Sequence, residues 1–275
     1  MRKHQKNKIF MKIAQVQMHV EQSRFDENLK RACEAVKKAK SRGAEFAILP
    51  EMFASGFNYG ENKKAIAGGR NFVRDFLEIA KENKIFLAGT VPHLEENSPK
   101  PSNRMIFASP DGEILASYDK IHLFGVFHED RHISCGNSIV VKKMPFANIG
   151  FAVCYDLRFP EMFVNIAQKK ADLIVVSTAW PHPRMGQLRT LMRARAIECQ
   201  CFLACVNQVG VENFGSNKIK YCGSSAIIDP FGDALCECKK DAEDLQIADI
   251  DFEKPKIARE KIPVLSDRRP DIYFK

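Results

Sequence analysis

Three residues with complementary chemistry stand at the ends of apolar, strand-like runs. Glu51 closes Phe46-Ala-Ile-Leu-Pro-Glu51, Lys120 closes Ile114-Leu-Ala-Ser-Tyr-Asp-Lys120, and Cys154 closes Ile149-Gly-Phe-Ala-Val-Cys154. In open α/β sheets, reactive groups gather beyond the carboxyl ends of strands. A thiol, a carboxylate and an ammonium converging there make a nucleophile, a base and a cation. The thiolate is the active nucleophile, and a nearby cation favours it. A carboxylate can take the thiol proton and later return it to a leaving amine. An ammonium, with backbone N–H groups after the nucleophile, can hold an oxyanion. The product would be a thioester that water then opens. Taken singly, each residue has a plainer reading: core packing for Cys154, capping for Glu51, solvation for Lys120.

The elements that would position them alternate along the chain. Strands are expected over residues 8–18, 44–50, 84–91, 138–143, 149–154, 171–179, 201–208 and 246–250, and helices over 27–40, 69–83, 160–169 and 186–200. Helical spacing of apolar residues supports the first two helices, and Gly43 suits the stop of the first. Pro110-Asp111-Gly112 and Pro230-Phe231-Gly232 sit between strand-like runs and read as hairpins, the second joining 222–229 to 233–238. The 171–179 run is almost wholly apolar, as for a strand covered on both faces. Helices mixed with hairpins predict mixed sheets, and two sheets covered by outer helices would accommodate about eleven strands. The fold class is therefore α/β, as a single-domain, four-layer αββα sandwich.

Composition narrows the field. The 275 residues are 45% hydrophobic and 28% charged, which fits a globular chain and excludes collagen, coiled coil or wholesale disorder. No run approaches the roughly 18 apolar residues of a membrane span, so no membrane association is expected. The net charge of +8 is spread along the chain, without the interleaved basic and aromatic pattern of nucleic-acid binding. Residues 1–10 form a basic extension without the apolar core of a signal peptide, leaving solvation or a bound phosphate as its roles. Residues 11–251 form the domain, and 252–275 a charged tail packed on it or across a subunit interface. Nine cysteines, an odd count, point to reduced thiols and a cytoplasmic location. Cys199-x-Cys201 and Cys236-x-Cys238 could share a strand face as metal ligands, but core packing is the better reading, so no metal or other cofactor is expected.

Leu49-Pro-Glu-Met-Phe53, Tyr118-Asp-Lys-Ile-His-Leu-Phe124 and Cys154-Tyr-Asp-Leu-Arg-Phe-Pro-Glu161 occur in that order. All three resemble the signature segments of the nitrilase superfamily, the carbon–nitrogen hydrolases. Arg193-Ala-Arg-Ala-Ile-Glu198 and Gly223-Ser-Ser-Ala226 are similar to further family segments, so the resemblance runs from about residue 12 to about residue 271. It implies an αββα sandwich, commonly a homodimer or higher homo-oligomer. It implies Cys154 as nucleophile, Glu51 as general base and Lys120 as oxyanion partner. Glu129 matches a second family glutamate that positions the substrate or the lysine. The N–H of Tyr155 would be a second oxyanion donor, with Arg158 and Glu161 orienting the turn. His122, beside Lys120, is the residue a competing Cys–His mechanism would use, but a supporting role is the better reading.

The segment Ser177-Thr-Ala-Trp-Pro181 looks most like the ω-amidase branch, which acts on ω-amides of dicarboxylates such as α-ketoglutaramate or succinamate. Such a small-molecule amide carries a free carboxylate, so a cation should wait near the mouth. Arg184 is the first candidate and His182 the second, with Trp180 as a wall. A carbamoylase or ureidopropionase, another short-chain amidase or nitrilase, and a non-catalytic scaffold are the alternatives.

Overall fold

The computed structural model describes residues 10–214 and 217–273. Most of the basic extension therefore lies outside the described residues. The chain begins with β1 (Phe10–Gln17), α1 (Phe25–Ser41), β2 (Phe46–Ile48), α2 (Tyr59–Ala67), α3 (Phe72–Asn83), β3 (Phe86–His93), β4 (Ser102–Ala108) and β5 (Ile114–Asp119). It continues through α4 (Glu129–His132), β6 (Val141–Lys143), β7 (Asn148–Val153), α5 (Pro160–Gln168), β8 (Leu173–Thr178), α6 (Met185–Cys199) and β9 (Phe202–Asn207). The hairpin β10 (Val209–Phe214) and β11 (Asn217–Cys222) follows. Then come β12 (Ala226–Ile228), β13 (Ala234–Glu237), β14 (Asp244–Asp251), α7 (Lys254–Lys261) and α8 (Pro270–Tyr273).

Two six-stranded sheets have the orders β14-β1-β2-β3-β4-β5 and β13-β12-β9-β8-β7-β6. In each, three central strands run parallel and the outer pairings are antiparallel. The two-residue period of a strand sorts the side chains into layers. On β1, β2 and β4, Ile13, Phe46, Ile48, Met105 and Phe107 face the second sheet, while Ala14, Ala47, Leu49 and Ile106 pack under α1 and α3. On the far side α5 and α6 cover the second sheet, which completes four layers. Gly150 on β7 permits that contact: a Cβ there would fall 2.6 Å from Ile166 Cγ2 of α5. The sandwich expected from the sequence is thus present, with the first helix stopping at Gly43 in a left-handed conformation.

Several expectations need correction. Fourteen strands are described rather than about eleven. The β10–β11 hairpin forms a sheet of its own and was missed because polar residues interrupt its apolar ones. The strand expected over 222–229 is broken, since Gly223 and Ser224 both have positive φ. A Cβ on Gly223 would meet the Gln17 side chain at 2.2 Å, so the break makes room for that amide. Helix α2 also escaped notice, having few apolar residues; it starts at Asn58, whose side chain accepts from Glu61 N–H. In the C-terminal segment, α7 lies on the domain: Gln200 donates to the carbonyls of Ala258 and Ile262, and Arg259 pairs with Asp172 at 3.1 Å.

Phe107 is fully buried where the sheets face each other, with ring centroids 5.2 Å from Phe46 and 5.8 Å from Phe151. Phe107→Ala should lower the unfolding free energy by about 3–5 kcal/mol in urea titrations. A loss below about 1 kcal/mol would contradict the packing between the sheets.

Candidate active site

Glu51, Lys120 and Cys154 each sit just beyond a strand: β2, β5 and β7 respectively. Met52 follows Glu51 with φ of 51°, its N–H held by the Thr90 hydroxyl at 2.7 Å. Cys154 has φ of 46° and opens a 3-10 turn, Cys154–Arg158. A non-glycine residue in this left-handed region is strained and must be held by its surroundings.

Lys120 is the hub of the cluster. Its ammonium lies 2.9 Å from Glu51 Oε1 and 2.9 and 2.8 Å from the two oxygens of Glu129. All three side chains are at most 2% exposed. Glu51 also accepts from Asn103 Nδ2 at 2.8 Å and, on its other oxygen, from Ala179 N–H at 3.0 Å. Glu129 accepts from Phe124 N–H at 2.6 Å, which fixes the loop between β5 and α4. Against these sits Cys154, an intermediately buried residue whose thiol interacts electrostatically with both Glu51 and Lys120.

The electrostatics follow from burial and neighbours. Burial pushes the Glu51 carboxyl above the ordinary carboxylate range; Lys120 opposes this and Glu129 adds to it. Burial alone would lower Lys120, but Glu51, Glu129 and Cys154 reverse it and hold the group firmly as an ammonium. Burial, then the Glu51 charge, push the Cys154 thiol up, against the pull of Lys120, the Thr178 hydroxyl and the Ala179 backbone. The resting cluster therefore favours a neutral thiol beside a carboxylate able to take its proton.

These groups form the floor of a cleft enclosing about 490 Å³, open solvent at its mouth included. Its walls are aromatic: Phe57, Tyr59, Phe124, Tyr155, Trp180 and Tyr221. Trp180 is pinned by its indole N–H to the Arg184 carbonyl at 2.9 Å. Two guanidinium groups line the same cleft. Arg184 lies over the Phe124 ring at 5.8 Å, and Arg158 over the Trp180 ring at 4.8 Å. Arg158 also donates to Gln187 at 2.5 Å. Among the described residues, neither guanidinium pairs with a carboxylate.

The structure thus brings together Glu51, Lys120, Cys154, Glu129, Tyr155, Trp180 and Arg184. It does not bring His182, expected as a second cation at the mouth. The turn that carries Arg184 into the lining leaves His182 outside it, near Asp241. His122 likewise does not line the cleft; its ring is bonded to Asp156 and stacked on Phe159. Arg158, expected to orient the turn, also lines the cleft. Tyr59 and Tyr221 were missed because they ride on α2 and β11, the elements that the apolar pattern did not reveal. Among the described residues, no three His, Cys, Asp or Glu side chains are grouped to hold a metal ion. No helix among them is long and apolar enough to cross a membrane.

Lys120→Met would leave two buried carboxylates facing each other. Removing one partner of a buried pair costs about 3–5 kcal/mol. In the variant, the folded-state Glu51 pKa, already raised by burial, loses the opposing pull of Lys120 and rises further above its unfolded value, so stability is lost as pH rises through the folded value. The deficit relative to the parent protein should be full at pH ~8 and shrink toward pH ~5 in urea unfolding. Equal deficits at both would show that the charges are not coupled as described.

Known proteins resemble the chain over nearly its whole length. The carbon-nitrogen hydrolase family model matches residues 12–259. The 2-oxoglutaramate amidase of Bacillus subtilis is 31% identical over 262 residues, covering 95% of this chain and 98% of that one. The mouse (Mus musculus) omega-amidase NIT2 is 32% identical over 278 residues, covering 95% and 96%. Among solved structures, the CN-hydrolase superfamily protein XC1258 from Xanthomonas campestris superposes with a TM-score of 0.84 at 29% identity, covering 95% and 98%. A Nesterenkonia amidase, captured as a mutant with an acetamide moiety on its active-site cysteine, gives 0.83 at 26%, covering 96% and 95%. With the match extending over both sheets and every strand that delivers the cluster, the chain belongs to the carbon–nitrogen hydrolase family.

Proposed function

We propose that the protein is an ω-amidase that hydrolyses dicarboxylate monoamides such as α-ketoglutaramate or succinamate through a thioester on Cys154. The observation that carries this reading is the buried Lys120 between Glu51 and Glu129, set beside the Cys154 thiol in one cleft. The relatives named for 2-oxoglutaramate and ω-amide hydrolysis support the substrate class.

The chemistry balances with these residues alone. Cys154 Sγ attacks the amide carbonyl while its proton passes to Glu51. The resulting oxyanion is held by the Lys120 ammonium and the Tyr155 N–H. Glu51 returns the proton to the nitrogen, the C–N bond breaks, and ammonia leaves. Water then attacks the thioester as Glu51 takes its proton, the C–S bond breaks and the acid departs, and Glu51 passes the proton to sulfur to restore the thiol. Glu129 keeps the ammonium in place without consuming a proton. At the mouth, Arg184 and Arg158 are free to meet the substrate carboxylate, a charge-assisted contact that favours Arg for its planar fork. The similarity to an amidase that accepts an acetamide moiety gives a second reading, a short-chain amidase without need of the carboxylate. We place the enzyme in the cytoplasm, its nine cysteines reduced, as a homodimer or larger homo-oligomer in which residues 252–275 pack on their own domain or across the subunit interface.

Ammonia release from α-ketoglutaramate, succinamate, glutamine, asparagine, N-carbamoyl-β-alanine and simple nitriles tests this, with Cys154→Ala as the blank. Selective turnover of the dicarboxylate monoamides, abolished in Cys154→Ala, is expected. Turnover of the carbamoyl compound instead would refute the substrate assignment, and an absence of cysteine-dependent turnover would favour a scaffold. Arg184→Met should raise KM for succinamate by about 10–100-fold, the worth of a charged hydrogen bond, and leave KM for butyramide nearly unchanged. An equal change for both amides would remove Arg184 from carboxylate recognition.

A further inference from the structure

Asp156 lies two residues after Cys154 and is fully buried. Its two oxygens accept four hydrogen bonds. Oδ1 takes the His122 backbone N–H at 3.1 Å and the His122 ring Nδ1 at 2.7 Å. Oδ2 takes the Tyr118 hydroxyl at 2.7 Å and the Val153 N–H at 2.8 Å. Tyr118 and His122 stand two residues to either side of Lys120, and Val153 immediately precedes Cys154. One carboxylate therefore joins the chain on both sides of the lysine to the chain just before the thiol.

Every one of those partners donates, so the position calls for a group that only accepts. The contact sets the His122 proton on Nδ1. The imidazole ring lies flat against Phe159, at 3.6 Å between centroids and 7° between planes, and so serves as a strut. The turn Cys154–Arg158 is braced separately from α6, where the Arg195 guanidinium donates twice to the Leu157 carbonyl at 3.1 and 3.0 Å. That brace does not reach the lysine. On the other flank, Ala179 N–H and the Ser177 hydroxyl tie β8 to the Glu51 carboxylate and the Leu49 carbonyl. Those bonds place Glu51, not Cys154. The Asp156 knot supplies the hydrogen bonds that connect the lysine segment to the nucleophile turn, beside a Phe124–Tyr155 ring contact at 5.0 Å.

We propose that Asp156 is a positioning residue: through Tyr118, His122 and Val153 it sets the separation between Lys120 Nζ and Cys154 Sγ. This rests on the reading of Cys154 as nucleophile and Lys120 as its cation. Both the attacking thiolate and the later oxyanion need the ammonium at contact distance. The strained backbone of Cys154 supplies no stiffness of its own, since its left-handed φ persists only while the turn is closed around it. The Asp156–Val153 bond closes that turn, and the Tyr118 and His122 bonds carry the constraint to the lysine. A shift of about 1 Å at such a contact is enough to lose about a hundredfold in rate.

The test uses Tyr118→Phe, which deletes one of the four bonds and keeps the ring in the core, alongside Asp156→Asn and Cys154→Ala. Each is assayed for kcat and KM on the best amide of the panel and for melting temperature. In the two variants that retain the thiol, the rate of Cys154 alkylation by iodoacetamide is also followed against pH by peptide mass spectrometry, a readout that needs no substrate. We expect kcat to fall about tenfold in Tyr118→Phe and about a hundredfold in Asp156→Asn, with KM within about twofold. The midpoint of the alkylation profile should move to higher pH in both, because the thiolate loses its ammonium. An unchanged kcat and an unchanged alkylation profile in Tyr118→Phe, even with a lowered melting temperature, would overturn the proposal and leave Asp156 a structural residue. Should Asp156→Asn not fold, Tyr118→Phe decides alone. Turnover surviving in Cys154→Ala would instead overturn the nucleophile assignment, whatever Asp156 does.

Discussion

A lone ammonium enclosed by two carboxylates is the constraint around which this molecule is built. Each of the three ions gives up several kcal/mol of hydration when buried, and only close, well-aligned partners offset that loss. The requirement is geometric: Lys120 Nζ must reach Glu51 and Glu129 together, within 2.9 Å of each. Glu51 arrives from the end of β2, Lys120 from the end of β5 and Glu129 from the short α4. Misplacing the end of β5 leaves two buried carboxylates without their counter-ion, and misplacing either carboxylate strips the ammonium of one partner. The cluster thus ties correct packing of the first sheet to correct assembly of the reactive floor.

The second sheet contributes the thiol and its immediate supports. Its β7 and β8 end beside the cluster, and the hydrogen bonds that cross between sheets are few and specific. Gln15 donates to the Cys205 carbonyl, Ser177 to the Leu49 carbonyl and Ala179 to Glu51. Tyr118 to Asp156 and Ser225 to Gln17 are further such bonds, and between them the sheets meet through aromatic and aliphatic side chains that carry no directional preference of that kind. Apolar packing sets how far apart the sheets stand, while these polar bonds set how they are registered. Bringing the Cys154 thiol on one sheet against the Glu51 carboxylate on the other needs both.

Much of this was legible in the residues. The strands carrying Glu51, Lys120 and Cys154 are apolar, short and bounded by turn formers, so their ends could be found to within a residue or two. The helices α1 and α3 show the spacing of an amphipathic face, and Gly43 its stop. What escaped was material whose order comes from distant contacts. The β10–β11 hairpin has no continuous apolar face, yet it delivers Tyr221 to the cleft. The break at Gly223 answers to the Gln17 amide, far away in the sequence. His182 and Arg184 are two residues apart, and only the 3-10 geometry of their turn separates the one that lines the cleft from the one that does not.

The helix α6 has an effect that its role as an outer layer does not suggest. Arg184 occupies its N-cap position, and Arg195, further along the same helix, grips the Leu157 carbonyl in the turn that begins with Cys154. One rigid rod therefore touches both the rim and the base of the cleft. The Arg184 guanidinium and the turn that begins with Cys154 are thereby held relative to each other by a single element. A change confined to the His182–Arg184 turn would move the guanidinium at the rim and leave the Arg195–Leu157 contact at the base as it is.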